Sequence, residues 1–202
     1  MFLSRQPFGK LNDRIAELFT FSDPHSGFSV SITDFGATLV RVKVPDQTGK
    51  VDDISFGHNS AQEYASNAGY FGGLVGRTIS RIVNGKFTLD GREYQLTLNN
   101  NGHHKHGGDK SFAHRFWNLK DVSVSDQNGQ LCLEYFSQDG EEGYPGNLRT
   151  QIQFIITPKS IEWELRATTD KSTIVNLTNH AYWNLEGLRT TVDNLDLSVN
   201  AS

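Results

Sequence analysis

The feature that most narrows what this chain can fold into is a period of two. Apolar and polar residues alternate one by one along most of its length. Phe28, Val30 and Ile32 alternate with Ser29, Ser31 and Thr33, and after Gly36 the pattern resumes with Val40, Val42 and Val44 against Arg41 and Lys43. Ile54 and Phe56 mark another short strand, and Leu148 to Ile156 and Ile161 to Arg166 alternate again. Successive side chains of an extended strand point to opposite faces, so each run builds a sheet with one apolar face. Only Ser60-Ala61-Gln62-Glu63-Tyr64 offers a helical turn. Turn chemistry separates the runs. Asp90-Gly91 lies between Phe87-Thr88-Leu89 and Tyr94, Leu96 and Leu98, and Asn128-Gly129 lies between Val124 and Leu131. Both pairs suit the left-handed backbone of a two-residue hairpin turn. The expectation is an all-β, antiparallel sandwich or barrel.

No repeat, low-complexity tract or linker interrupts the chain, so residues 1–202 are expected to form a single β-sandwich domain. Leu195, Leu197 and Val199 alternate with Asp196, Ser198 and Asn200, which predicts a last strand with no closing partner in the sequence. Its ladder groups need pairing, so the domain is expected to be incomplete at its C-terminal end.

Composition removes several classes of function. A net charge of -4 without a basic block argues against a nucleic-acid partner. No apolar run spans a bilayer and the first residues lack a leader's apolar core, so neither a membrane partner nor a signal peptide is expected. The single cysteine, Cys132, allows no intrachain disulfide and fits a cytoplasmic protein.

Two polar clusters are the candidates for chemistry. The first is Asn176-Leu177-Thr178-Asn179-His180-Ala181-Tyr182-Trp183-Asn184-Leu185, after the strand-like Thr173-Ile174-Val175. His180 can give or take a proton near neutral pH, neighbouring amides and hydroxyls can fix its tautomer, and aromatic rings can floor a sugar. A core histidine satisfied by the asparagines is the ordinary alternative. The second cluster is Asn99 to Gly108, containing His103, His104 and His106 before Gly107-Gly108. Three histidines invite a metal reading, but no cysteine or carboxylate clearly completes a four-ligand site, so no metal is expected. The glycines let backbone approach a ligand closely, although an exposed polar turn explains them equally. Gly76 to Ile82 sets Arg77 and Arg81 four residues apart, where an arginine fork can hold paired sugar hydroxyls. Gln138 to Gly146 carries Glu141 and Glu142, adjacent residues that point opposite ways on an extended chain and suit a solvated loop better than an acid/base couple.

Taken in order, several segments resemble the aldose 1-epimerase (galactose mutarotase) family. They are Ile32 to Thr38, Val44-Pro45-Asp46 with Gly49 to Asp53, Gly76-Arg77 to Arg81-Ile82, Gly85 to Gly91, His106-Gly107-Gly108, Asp139 to Gly146 and Asn176 to Leu185. The resemblance implies a galactose mutarotase-like antiparallel β supersandwich and interconversion of the α and β anomers of free aldoses, such as glucose and galactose, without cofactor. It implies His180 as general acid, His106 and Arg81 as sugar-binding residues, Ser80 beside them where relatives usually have Asn, and Ala181 and Tyr182 lining the same site. Lys105 stands where relatives usually have Leu. The family's general base, a glutamate, and a sugar-binding aspartate are expected beyond residue 202. The implied partner is a small-molecule aldose. The alternative is a non-catalytic sugar-binding or regulatory module of the same fold that lacks the base.

Overall fold

A computed structural model describes residues 1–66 and 69–200. Two antiparallel meanders dominate it. The first runs β1 (Phe2–Leu11), β2 (Arg14–Ser22), β3 (Ser29–Thr33), β4 (Thr38–Pro45) and β5 (Val51–Asp53), each strand paired with the next. One α-helix among the described residues, α1 (Ala61–Ser66), follows, capped by Ser60 Oγ, which accepts from Glu63 N–H, while Glu63 Oε2 accepts from Asn59 N–H. Short strands then carry the chain across: β6 (Leu74–Val75), β7 (Arg81–Ile82), the hairpin β8 (Lys86–Leu89) and β9 (Arg92–Gln95), and β10 (His104–Lys105). The second meander is β11 (Asn118–Val124), β12 (Gly129–Ser137), β13 (Leu148–Thr157) and β14 (Ser160–Thr169), after which β15 (Thr178–Asn179) returns to pair with β6.

The alternation sets how these layers meet. Phe28, Val30 and Ile32 bury on the same core as Phe19, Phe21, Leu131, Leu133, Ile152, Phe154 and Ile156, with Trp117 and Phe112 filling between. The other face of the first sheet is covered too. A second cluster of Phe8, Ala16, Leu18, Phe35, Val40, Ala61 and Tyr64 lies there, under α1. Thus Ser31 and Thr33 are also buried, and Ser31 Oγ meets Thr20 Oγ1 at 2.9 Å.

Several details depart from the simple pattern. A register shift opposite Ser31 and Ile32 bulges β4, so Leu39 and Val42 enter the main core while Val40 enters the second cluster. The Asp90-Gly91 turn has φ of 51° and 75°, as a two-residue hairpin requires. Asn128-Gly129 does not repeat it. Gly129 opens β12, and a Cβ there would lie 2.2 Å from the Phe21 ring, so the glycine serves sheet packing. Ile54 to Phe56 and Thr173 to Val175 lie outside the strands. Leu195 to Val199 also forms no strand: among the described residues no strand pairs with it, Leu195 N–H turns back to Val192 O at 3.1 Å, and Leu197 is 89% exposed. No helix among the described residues is long and apolar enough to cross a membrane.

Candidate active site

Residues 178–184 are stitched into the fold along both sides of the backbone. Thr178 and Asn179 pair with Val75 and Leu74. His180 N–H donates to Gly73 O at 2.9 Å, and His180 O accepts from Gly72 N–H at 2.9 Å. Beyond it, Tyr182 O accepts from Phe56 N–H at 2.9 Å and Asn184 N–H donates to Ile54 O at 2.8 Å. The out-of-strand residues Ile54 to Phe56 therefore form one wall of this stretch. The asparagines work on the backbone, not on the imidazole. Asn179 Nδ2 donates to Gly72 O at 2.7 Å while its Oδ1 accepts from Ala181 N–H at 3.0 Å. Asn184 likewise bridges Thr190 O and Glu186 N–H.

The imidazole of His180 is instead surrounded by rings. Tyr182 lies nearly parallel to it, with centroids 5.1 Å apart and planes at 23°. Tyr70 is also near-parallel, at 6.2 Å and 29°, and His106 stands edge-on at 5.2 Å and 87°. Tyr70 additionally touches His106 at 5.0 Å and His114 at 5.3 Å, and Lys105 Nζ lies 5.5 Å from its ring centroid.

His106 reaches this cluster from β10. Lys105 pairs with Arg81 of β7, and one residue further His106 N–H donates to Ser80 O at 3.0 Å while His106 Nδ1 accepts from Ser80 N–H at 3.1 Å. A nitrogen that accepts cannot carry the proton, so the neutral ring holds its hydrogen on Nε2. Burial, then the charges of His180, Lys105 and Arg81, lower the pKa of His106 to about 4. The ring is thus neutral at physiological pH and presents an N–H donor. Gly107 follows because a Cβ there would lie 1.6 Å from Gly76 O, so the glycine accommodates the chain itself.

The neighbouring histidines have different fates. His104 is fully buried, with Nδ1 2.7 Å from Thr97 O and Nε2 2.6 Å from the Tyr144 hydroxyl, which meets Thr78 Oγ1 at 2.6 Å. The carbonyl can only accept, so the direction is fixed: Thr78 donates to Tyr144, Tyr144 to His104, and His104 to Thr97. His103 Nδ1 accepts from Asn84 N–H at 3.1 Å. Each histidine is tied to a different partner, and among the described residues no group of three metal-ligating side chains converges.

The arginine pair also divides. Arg77 is 1% exposed and donates to Ser137 Oγ and the carbonyls of Ser137, Gln138, Pro145 and Gly146. Arg81 is exposed at the rim and donates through Nε to Asn100 Oδ1 at 3.1 Å. The acidic loop is no free solvated turn. Glu141 Oε1 accepts from the Tyr135 hydroxyl at 2.7 Å and from Arg115, and the Glu142 carboxylate accepts from the backbone N–H groups of Asp109 and Lys110.

The structure therefore brings His106, His180 and Tyr182 together, with Ser80 and Arg81 at the edge. Ala181 packs against the main core. Tyr70 was not legible as a site residue, since Gly69-Tyr70-Phe71-Gly72-Gly73 reads as core between glycine turns. A cavity of about 640 Å³ adjoins the cluster through Tyr70 and His114, but neither His106 nor His180 lines it, and the ring cluster is the better candidate site.

A family model described as Aldose 1-epimerase matches residues 17–202. The chain belongs to the aldose 1-epimerase family. A galactose mutarotase of Sus scrofa is 36% identical over 185 residues, which are 92% of this chain and 53% of that protein. An aldose 1-epimerase of Escherichia coli (strain K12) is 34% identical over 178 residues, 88% of this chain and 50% of the other. In structure, galactose 1-epimerase from Lactobacillus acidophilus NCFM matches with a TM-score of 0.81 at 27% identity, over 91% of this chain and 53% of that one. The antiparallel galactose mutarotase-like fold is therefore established, and the chain spans about half the length of the curated relatives it matches.

Proposed function

We propose that the protein carrying this chain is a cytoplasmic aldose 1-epimerase that interconverts the anomers of a free hexose by opening and reclosing its ring. One observation carries the reading: in a member of this family, the histidines of two distant segments, His106 and His180, meet at 5.2 Å beside a stacked tyrosine. Ring opening needs a proton delivered to the ring oxygen and another removed from the anomeric hydroxyl, and neither transfer requires a metal or cofactor. His180, in its protonated form, is the donor. His106, neutral and donating through Nε2, holds a sugar hydroxyl without competing for the proton. Arg81 adds donors at the rim. Ser80 contributes by fixing the His106 ring, and Ala181 and Tyr182 shape the wall beside His180. Glu141 and Glu142 both have protein partners, and the proton acceptor is the glutamate that the family resemblance implies in the part of the relatives' length that this chain does not span. We read the 202 residues as one domain.

Polarimetry of freshly dissolved α-D-glucose or α-D-galactose tests the assignment. His180→Asn should fold and lose about 10²–10⁴-fold in rate, the usual contribution of a general acid. Mutarotation close to the parent rate in that variant removes His180 from the role.

A further inference from the structure

The imidazole of His180 needs something to hold its plane. The torsion that turns a histidine ring is broad and weakly preferred, unlike the staggered torsion before it. The hydrogen bonds of 178–184 fix the backbone of His180, and both flanking asparagines are engaged by backbone groups. Among the described residues three rings lie against the imidazole: Tyr182 and Tyr70, both within 30° of parallel, and the edge of His106. Tyr70 is itself fixed at several points, by the His106 and His114 rings and by the Lys105 ammonium. Tyr182 is fixed by the Phe71 ring at 5.0 Å and by its carbonyl's bond to Phe56.

We propose that Tyr70, together with Tyr182, is a positioning residue for His180: their rings hold the imidazole in the plane from which it delivers its proton. The idea rests on the reading of His180 as the acid. It assigns Tyr70 a part in catalysis without contact to the sugar, and it makes the ring of Tyr182 a support for the histidine. Geometry of this kind matters because a misplacement of about 1 Å at a reacting group costs on the order of a hundredfold in rate.

Tyr70→Leu should lower kcat about ten- to a hundredfold with KM changed less than about threefold, whereas Tyr70→Phe, which keeps the ring, should stay within about threefold of the parent. Tyr182→Leu should lower kcat as Tyr70→Leu does, with a rise in KM besides, because its ring also walls the sugar site. Tyr182 is 44% exposed, so it carries the test if Tyr70→Leu fails to fold. Nuclear magnetic resonance of histidine-labelled protein, with the His180 signals assigned by their loss in His180→Asn, gives a readout independent of turnover. The ring protons of His180 should be displaced by ring currents in the parent and in Tyr70→Phe, and should move towards free-histidine values and broaden in the leucine variants. Unchanged His180 signals in both leucine variants overturn the proposal. So does a loss in Tyr70→Phe as large as in Tyr70→Leu, or a rise in KM at constant kcat, either of which makes the tyrosine a sugar contact. If His180→Asn keeps its activity, the acid assignment fails instead, and the resonance arm still reports whether the rings hold the imidazole.

Discussion

The interior behind β7 and β10 and the rim in front of them are built from the same residue types, and they use them in opposite ways. Arg77 and Arg81 are four residues apart, and His104 and His106 only two. In each pair one member points inward and is saturated by protein partners. Arg77 serves four carbonyls and two hydroxyls, those of Ser137 and Thr173, and His104 has both ring nitrogens occupied. The other member stays at the rim with capacity in reserve. Arg81 makes one side-chain bond and His106 accepts one at Nδ1. Among the described residues no partner meets the Nε2 of His106. Residue type thus does not separate a structural group from a functional one; the number of donors and acceptors left over does.

The arginines offer the sharpest way to break this contrast. Arg77→Met removes the donors that satisfy buried carbonyls, each of which costs about 1–3 kcal/mol when left unpaired. With several stranded together, urea unfolding should register a loss of about 3–5 kcal/mol, if the variant folds at all. Arg81→Met, an exposed change, should stay within about 0.5 kcal/mol of the parent in the same experiment. Its effect should appear as weaker sugar binding. Similar stability losses in both variants would erase the division between interior and rim.

The histidines give the same contrast at smaller amplitude. His104→Phe strands Thr97 O and leaves the Tyr144 hydroxyl without its acceptor, for a loss of about 2 kcal/mol in unfolding free energy. The rate per folded molecule should change little. His106→Phe should be nearly neutral in stability and should slow mutarotation at least about tenfold, as loss of a well-placed donor does.

How much of this could be read from the chain follows from what alternation encodes. Period two records which face of a strand is buried, so Phe28, Val30 and Ile32 and the Asp90-Gly91 hairpin were legible. It does not record a bulge, so Val40 was placed with Val42 although β4 divides them between two cores. Nor does it record whether a partner exists, so Leu195 to Val199 looked like a strand. At the site, the family resemblance pointed to His106, Arg81 and His180, but nothing in Gly69-Tyr70-Phe71 announces a ring that meets residues 106, 114 and 180. That contact belongs to the packing of three distant segments. The asparagines around His180 misled in the other direction, because a side-chain amide binds backbone as readily as imidazole.

The last expected effect is a dependence on pH, and its sign follows from His106. Its pKa lies at about 4 in the folded chain against an ordinary value of 6.5. Between those values the unfolded chain binds a proton that the folded chain refuses. Stability from this group is therefore complete above about pH 6.5 and is lost as pH falls through about 4. His104, whose pKa burial also lowers, contributes with the same sign. The geometry gives the reason independently of charge: a proton on Nδ1 of His106 would face the N–H of Ser80. Lys105→Leu separates the two causes. Removing the ammonium takes away one of the charges that hold the pKa down, so the folded value should rise and the window of pH-dependent stability should narrow from its lower end. Burial and the Ser80 bond remain, so the window should not close. Urea midpoints measured from about pH 7 to 4 in the parent, Lys105→Leu and His106→Gln would show this as a graded series. The steepest slope should belong to the parent and the shallowest to His106→Gln. A parent slope no steeper than that of His106→Gln would mean that His106 is as easily protonated in the fold as out of it, and the distinction between a held rim histidine and a free one would go with it.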